Sequence, residues 1–304
     1  MAVSRATNPQ LYTPIYDKFL IEGYKAVPQV FPQIFTVLSD DSKEYKTDML
    51  GGLGTWVSVD ELGETPSEDL NQLWPKTFTH IKFGKSVIVS YEGVDDDEYA
   101  ILSKANVVKA EGRGAARKAD QDAADIINNS FTSTQTPDSQ WLCDTDHPYS
   151  PTDATTLSNK ITTALTPAAL DEMEIKIANN GKDSTGEVVD IEPTTLLVPA
   201  ALYGTAMEIC DKRAWNLRGT ADRVLNRFAG VYNVLMWRRL TTSTTAWWLV
   251  VPKQDYGLKF VWRERPHYDA WVNHTIDAYD FKGRMRYSLG ADDWRCIWGS
   301  TGAG

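Results

Sequence analysis

The feature that most constrains this chain is a helical pattern that begins at Asp95 and continues to about residue 126. Apolar or small residues recur along it at every third or fourth position: Ile101, Ala105, Val108, Gly112, Ala115, Ala119, Ala123 and Ile126. Asp95 and Glu98 fit a capping box at its start, and we expect a bend near Gly112 and Gly114. A helix this long exceeds what an ordinary compact domain uses. Its alanine-rich face therefore predicts a spine that lies close against something flat.

The segment before the helix predicts an arm and a hairpin. Pro9, Pro14, Pro28 and Pro32 interrupt the first 45 residues, yet apolar and aromatic side chains recur there, unlike in a disordered tail. This arm has no room for a core of its own, so we expect it to lie on the same chain or on a neighbour.

Residues 50–90 favour a long two-stranded excursion. Gly54–Asp60 and Phe78–Val89 are rich in β-branched and aromatic residues, and an acidic connection separates them. Because isolated hairpins are marginal in water, this one needs a surface to lie on.

The second half of the chain indicates a mixed α+β fold. Thr166 and Pro167 predict the start of a helix that ends at Asn180-Gly181. A short buried strand bounded by Pro193 and Pro199 follows, then a helix through Leu202, Ala206, Ile209 and Cys210. Strands dominate from Gly230 onward, and the irregular order of helices and strands favours α+β over a doubly wound sheet.

Charge divides the chain unevenly. The whole chain has 41 acidic and 31 basic side chains, but residues 201–304 have 15 basic and 10 acidic ones, with eight of the 11 tryptophans. Arg and Trp are enriched at the centres of protein interfaces. A Trp-rich core with solvated arginines explains the same composition, and the two interpretations stay open. The longest apolar stretch, Ala246–Val251, is too short to cross a membrane.

A search for catalytic or binding chemistry is mostly negative. The chain has no phosphate-binding glycine loop, no nucleophile elbow and no zinc motif. Cys143, Asp144, Asp146 and His147 could form a metal site or a nucleophile–base pair, but a polar loop surrounds them and we favour a structural role. We therefore expect no enzymatic activity, no cofactor and no metal. The basic residues form no contiguous run, which makes sequence-specific DNA binding improbable.

The order of these parts resembles the tailed-bacteriophage major capsid proteins of the Hong Kong 97 type. Within them, the chain is similar to the Mu-like major head subunit branch. The matching motifs are Trp141–Pro148, Ser158-Asn159, Leu165–Leu170, Ile191–Leu202, Thr245–Leu249, Gly283–Tyr287 and Asp292–Arg295. That family often has a second proline after Pro199, where this chain has Ala200. The Hong Kong 97 shell also cross-links a hairpin lysine; Lys76, Lys82 and Lys85 lie here without a recognisable acceptor, so we do not transfer the cross-link.

The resemblance implies a division of the chain into five parts. They are an N-terminal arm (1–48), an extended hairpin or E-loop (49–92), a P-domain with the spine helix (93–195), an A-domain (196–271) and C-terminal strands that return to the P-domain (272–304). It also implies a structural subunit that forms hexamers and pentamers of an icosahedral head around double-stranded DNA. The expected location is the virion, after assembly in the cytoplasm of the bacterial host.

The resemblance also suggests partners and interface residues. We expect a portal, possible decoration proteins and, because the arm begins almost at Met1, a separate scaffolding protein. The interface residues are expected in the arm and the hairpin, with the acidic ones meeting arginines of the next subunit. They are Leu11, Tyr12, Tyr16, Phe19, Trp56, Glu64, Glu68, Asp69 and Trp74.

Two alternatives remain open from the sequence alone. The first is an encapsulin-type nanocompartment shell, which shares the fold but packages enzymes. The second is a Trp-rich carbohydrate-binding or hydrolytic protein.

Overall fold

The computed structural model describes residues 13–52, 56–65, 67, 72–96, 104–210, 227–253 and 257–303. Within these ranges the chain forms six α-helices, two large β-sheets and two further sheets of two strands each. The helices are α1 (Thr13–Lys25), α2 (Phe31–Ile34), α3 (Tyr91–Asp95), α4 (Lys104–Asn128), α5 (Pro167–Asn180) and α6 (Tyr203–Cys210). The strands are β1 (Thr36–Ser39), β2 (Glu44–Leu50), β3 (Gln72–Thr79), β4 (Ile81–Ser90), β5 (His147–Ser150), β6 (Asp153–Leu157), β7 (Lys160–Ile161), β8 (Thr195–Val198), β9 (Asn233–Met236), β10 (Trp247–Val250), β11 (Leu258–Asn273), β12 (Ala278–Ala291) and β13 (Ile297–Ser300).

The long helix α4 lies along the first sheet. This sheet has the order β1-β11-β12-β4, in which β11 and β12 form a long antiparallel hairpin. Leu20 of α1, Val108 of α4 and Phe281 of β12 are buried together, so both helices cover one face of the sheet. The expectation that the helix lies along a flat surface is thereby confirmed.

Small residues let α1 approach α4 closely. A Cβ atom built on Gly112 would lie 2.2 Å from the carbonyl oxygen of Leu20, and one on Gly23 would lie 2.2 Å from that of Lys109. Gly112 is therefore explained by close helix packing. The predicted capping box is wrong at Asp95, because this residue ends α3 and does not begin α4. Glu98 lies outside the described residues.

The second sheet has the order β7-β13-β10-β8-β9 and carries α5 and α6. The helix predicted after Thr166 is confirmed, since the Thr166 hydroxyl accepts a hydrogen bond from Ala169 N and the helix ends at Asn180. The predicted buried strand between the two prolines is β8, all four residues of which are buried. Both sheets contribute to one core, in which Phe260 of the first sheet and Trp248 of the second belong to the same buried cluster.

Most tryptophans of the last third are buried, three in this core and three in a second buried cluster beneath α5 and α6. Six of them are buried: Trp237, Trp247, Trp248, Trp262, Trp294 and Trp298. Trp271 is exposed, and Trp215 lies outside the described residues. Of the two interpretations of the Trp-rich composition, the core therefore accounts for these six residues.

The predicted hairpin exists, but its strands lie elsewhere. Its first strand is β2, paired antiparallel with β3, whereas residues 56–60 form no strand. The second predicted strand is divided at the buried His80, because β3 pairs with β2 while β4 pairs with β12. The proposed boundary between residues 48 and 49 falls inside β2, and that between 271 and 272 falls inside β11.

Candidate assembly surfaces

The segment between β2 and β3 exposes large apolar side chains. Trp56 is 100% exposed and Leu62 is fully exposed, with Val57 and Val59 also on the surface. A turn closed by a 2.8 Å hydrogen bond from Gly63 N to the Asp60 carbonyl shapes this segment. Isolated surface leucines are ordinary, but four apolar side chains within seven residues form a patch that would be covered in an assembly.

The base of the same hairpin is fixed to the body of the protein. The Phe78 ring lies under Tyr45 and against Gly290 of β12. Gly52 N donates a 3.1 Å hydrogen bond to the Ser184 hydroxyl, and the buried Lys259 forms an ion pair with Asp292 beside Thr47. The strands that flank the exposed segment are therefore held in place by contacts with the rest of the chain.

The charged side chains in the described part of the exposed segment are all acidic. Asp60, Glu61 and Glu64 are exposed within this segment, next to its apolar side chains. Glu68 and Asp69, the other two acidic residues predicted at the interface, lie outside the described residues. The described part of the tip is thus apolar and negatively charged, a combination that suits a partner with an apolar surface and arginine or lysine at its rim.

The predicted arm residues have different surroundings. Phe19 is half-buried on α1, packs beside the cluster of Leu20 and Val108, and lies under the Lys109 ammonium. Tyr16 lies in α1, and the structure says nothing of its side chain. Leu11 and Tyr12 lie outside the described residues. Trp74 is half-buried in β3. The described part of the arm therefore lies on its own chain, where Pro14 fits in the first turn of the helix.

A second exposed apolar pair lies on the first sheet and was missed by sequence reasoning. Trp271, Asp280 and Ile88 stand directly opposite one another on β11, β12 and β4, so their side chains share one face. Trp271 is 46% exposed and Ile88 is 58% exposed, while Asp280 between them is buried. Only the strand register brings these residues together, and no local motif marks them.

The thiol and the imidazole of the Cys143–His147 cluster are both buried. His147 is fully buried, stacks on Trp294 and makes a 2.7 Å contact through Nδ1 with Oδ2 of Asp138, a residue outside the cluster. Burial opposes ionisation of Asp138, but hydrogen bonds from His147 and Thr136 outweigh it and hold its pKa below the usual range. Burial raises the pKa of the Cys143 thiol to about 12, so it does not supply a thiolate nucleophile near neutral pH.

Two further searches cover the described residues only. Among them, no group of three or more His, Cys, Asp or Glu side chains is arranged to hold a metal ion. No helix within the same ranges is both long and apolar enough to span a membrane.

Comparisons with known proteins place this geometry in a family and a fold. A sequence profile of the family described as "Phage capsid protein" matches residues 75–299. No curated protein sequence matches.

Three solved structures illustrate the shared fold. The capsid of the cyanophage P-SCSP1u matches with a TM-score of 0.61 at 12% identity, covering 90% of this chain and 88% of that one. The capsid of bacteriophage JBD30 decorated with minor capsid protein trimers matches with a TM-score of 0.56 at 16% identity, covering 71% and 92%. A virus-like particle from Pyrococcus furiosus matches with a TM-score of 0.53 at 10% identity, covering 95% and 99%.

Proposed function

The chain belongs to the phage capsid protein family and is a major capsid protein, and from this premise we propose that its copies form hexamers and pentamers of an icosahedral head that encloses double-stranded DNA. The fold is the Hong Kong 97-like capsid fold. Membership of the Mu-like branch rests on the order of motifs from Trp141 to Leu202 and stays a prediction. The division into arm, E-loop, P-domain, A-domain and returning strands is proposed on the same basis.

The observation that carries this proposal is the exposed tip of the β2–β3 hairpin. In a monomer, Trp56 and Leu62 remain in water and contribute no burial energy. Covering them would stabilise the protein by about 25 cal/mol for each Å² of apolar surface removed from water. In a shell the tip would lie on the next subunit and bury these side chains there. The anchored base described above would hold the tip in position for that contact.

The charges of the tip suggest how the contact is aligned. We expect Glu64, Glu68 and Asp69, together with Asp60 and Glu61, to face arginines of the neighbouring subunit. Exposed ion pairs contribute little affinity, so these charges would set the register of the contact more than its strength.

A charge-reversal variant tests this alignment. Replacing Glu64, Glu68 and Asp69 by lysine should impair shell assembly and leave folding of the subunit intact. A matched control reverses three exposed acidic residues elsewhere, Asp146, Asp190 and Glu192. Normal shells from the first variant, at the yield of the control, would remove the idea.

The arm is proposed to extend the same network. Leu11, Tyr12 and Tyr16 would reach a neighbour from the start of α1, and Trp74 would support the hairpin from β3. Phe19 already packs on its own chain, so its contribution would be to hold the arm in place. Truncation before residue 17, followed by measurement of shell yield, separates a reaching arm from a dispensable one.

The remaining partners are proposed from the role of a head subunit. We propose a scaffolding protein, a portal and decoration proteins as partners, assembly in the cytoplasm of the bacterial host, and a structural role without catalysis. The decorated JBD30 capsid is consistent with a decoration partner. The acidic balance of the whole chain suits enclosure of DNA without tight binding to it.

The two alternatives are less well supported. A nanocompartment shell would share the fold, but the family match is to phage capsid proteins. A carbohydrate-binding surface needs exposed aromatic rings, whereas six of the eight tryptophans after residue 200 are buried.

Size-exclusion chromatography with negative-stain microscopy tests the function directly. The expressed chain, with a scaffolding protein supplied where needed, should elute as large closed particles. A monomer of 34.0 kDa under every condition would contradict it.

A further inference from the structure

A cavity lies between the two packed helices and the first sheet. It has a volume of about 330 Å³ and opens to solvent beside Lys85 and Lys118. Its walls are mainly apolar and come from α1, α4, β4, β11 and β12: Leu20, Phe83, Ala115, Pro266 and Met285. Gly84, Gly114 and Gly283 also line it, and a Cβ on Gly114 would meet no atom within 4 Å.

One carboxylate points into this apolar space without a partner. Glu111 of α4 is only 7% exposed, and neither of its carboxylate oxygens has a hydrogen-bond partner within the described part of the chain. A Cβ atom on Gly283 would come 3.3 Å from Oε2, so the glycine of β12 leaves the space that the carboxylate faces. A buried carboxylate without a partner is unfavourable, so its presence in a folded protein calls for an explanation such as a bound cation.

The cationic side chains Lys118 and Arg284, which also line the cavity, are paired with carboxylates outside it. Lys118 forms a 2.6 Å ion pair with Asp122 of the same helix. Arg284 of β12 contacts both Glu264 and His267 of β11. These pairs leave two charges to consider, Glu111 inside and Lys85 of β4 at the exposed edge.

The charges of α1 do not reach the cavity. This helix contributes only Leu20 to the lining. Its Asp17 accepts a hydrogen bond from Tyr268 N, and its Glu22 forms an ion pair with Lys109. The charge that acts on Glu111 therefore comes from Lys85 at the sheet edge.

We propose that this cavity receives a lysine or arginine side chain from a second copy of the chain, whose cationic head group pairs with Glu111. The apolar walls would pack against the aliphatic stem, as long cationic side chains pack on apolar surfaces. The cavity has room for such a side chain beside the carboxylate. The second copy is the natural source because the chain self-associates into a capsid and exposes lysines such as Lys46 and Lys82, which form no ion pair among the described residues. The inference rests on the proposed shell.

The protonation state of Glu111 makes the contact measurable. Burial raises the pKa of Glu111 to about 7, and the positive charge of Lys85 partly opposes this. A cation binds the ionised form, so it should lower this pKa when it enters. Binding should therefore strengthen as pH rises through about 7 and should release a proton when it occurs below that pH.

The first experiment uses a small probe on the unassembled full-length protein. The probe is n-butylammonium, which mimics the end of a lysine side chain, and n-butanol is the neutral control. Calorimetric titration at pH 6 in two buffers of different ionisation enthalpy measures both affinity and proton release. The expected result is binding of the ammonium with release of a proton, and no comparable binding of the alcohol.

Two variants identify the site of binding. Glu111→Gln should weaken butylammonium binding about tenfold or more and abolish the proton release. Gly114→Met should fill the cavity and block binding while Glu111 stays in place, and circular dichroism shows that each variant is folded. Equal affinity in wild type and both variants, or no binding by the wild type at high-millimolar probe, would overturn the cavity as a cation site.

The second experiment separates this inference from the proposed function. A cryo-electron microscopy map of the assembled shell should show a lysine or arginine side chain of a neighbouring copy beside Glu111. A well-formed shell with the cavity empty would overturn the inference and leave the proposed function standing. Failure of the wild-type chain to form any shell would remove both, and butylammonium binding would then mark the cavity as a site for a free amine.

Discussion

Arg239 Nε donates a 2.7 Å hydrogen bond to Oδ2 of Asp120, a residue of the long helix that is almost completely buried. The same carboxylate accepts bonds from Trp237 Nε1 and from the backbone N–H groups of Val30 and Phe31. One side chain on α4 therefore joins the start of α2 to the segment that follows β9. The arm, the spine helix and the chain after β9 thus share one buried carboxylate, in addition to their apolar contacts.

Removal of this charge should destabilise the subunit strongly. Asp120→Ala leaves the Trp237 indole N–H without its acceptor. It also removes the carboxylate that faces Arg239, whose guanidinium then keeps its hydrogen bond to Gln121. We expect the free energy of unfolding to fall by about 3–5 kcal/mol, as when one partner of a buried ion pair is removed. Urea denaturation followed by tryptophan fluorescence measures it. Asp125→Asn, which changes a partly exposed carboxylate of the same helix, is the control; equal effects of the two changes would contradict the anchoring role.

Two glycines of α4 should respond oppositely to alanine. Gly112→Ala places a methyl group against the backbone of α1, and we expect a loss of about 1–3 kcal/mol as the helices separate. Gly114→Ala meets no atom within 4 Å and should stabilise the helix by up to about 1 kcal/mol. Thermal melting of the two variants compares them directly, and a stabilised Gly112→Ala protein would disprove the close contact.

The exposed hairpin tip should matter for assembly and not for folding. In a Trp56→Ser, Leu62→Ser double variant, the free energy of unfolding of the subunit should change by less than about 0.5 kcal/mol, since neither side chain packs within its chain. Shell yield in gradient sedimentation should fall sharply. Trp56→Phe, which keeps an aromatic ring, should retain most of the yield. Full yield from the double serine variant would exclude the tip as an interface.

Ionisation of Glu111 should make the isolated subunit less stable at higher pH. Its pKa is about 7 in the folded protein, against about 4.3 in an unfolded chain, so the folded state binds more protons between these values. The contribution of Glu111 to stability is therefore fully present below about pH 4.3 and is lost as pH rises to about 7, in total roughly 3–4 kcal/mol.

A neutral variant isolates this contribution from other titrating groups. Glu111→Gln should equal wild type near pH 4 and exceed it in stability at pH 8, whereas the exposed Glu192→Gln should follow wild type throughout. Urea midpoints across this pH range provide the comparison. If the urea midpoints of wild type and Glu111→Gln change in the same way with pH, ionisation of Glu111 does not destabilise the folded state and the prediction is wrong.

Local signals made several elements predictable. The helix after Thr166 has a capping hydroxyl, a proline in its first turn and Asn180-Gly181 at its end, and all of these act within the segment itself. The buried strand β8 is similarly bounded by prolines. The long helix was predictable from its repeat, but its predicted start at Asp95 is wrong because Asp95 ends the short helix α3.

Features that depend on strand pairing were not predictable. Glu44–Leu50 alternates poorly, and it forms a strand because β3 lies beside it and pairs with it. In the sequence, Glu111 lies beside the apolar stripe of the long helix, on its polar side, so its burial is not expected. Its burial follows from the position of Gly283 opposite Lys85 on the sheet above it, which only the register of β4 and β12 establishes.

The most direct test of the shell interpretation is a cryo-electron microscopy reconstruction of the particles formed by the wild-type chain. The account predicts a closed icosahedral shell in which Trp56 and Leu62 of each subunit are buried against a neighbouring subunit. A shell in which both side chains remain in solvent, or a preparation that contains no closed particles at all, would contradict it.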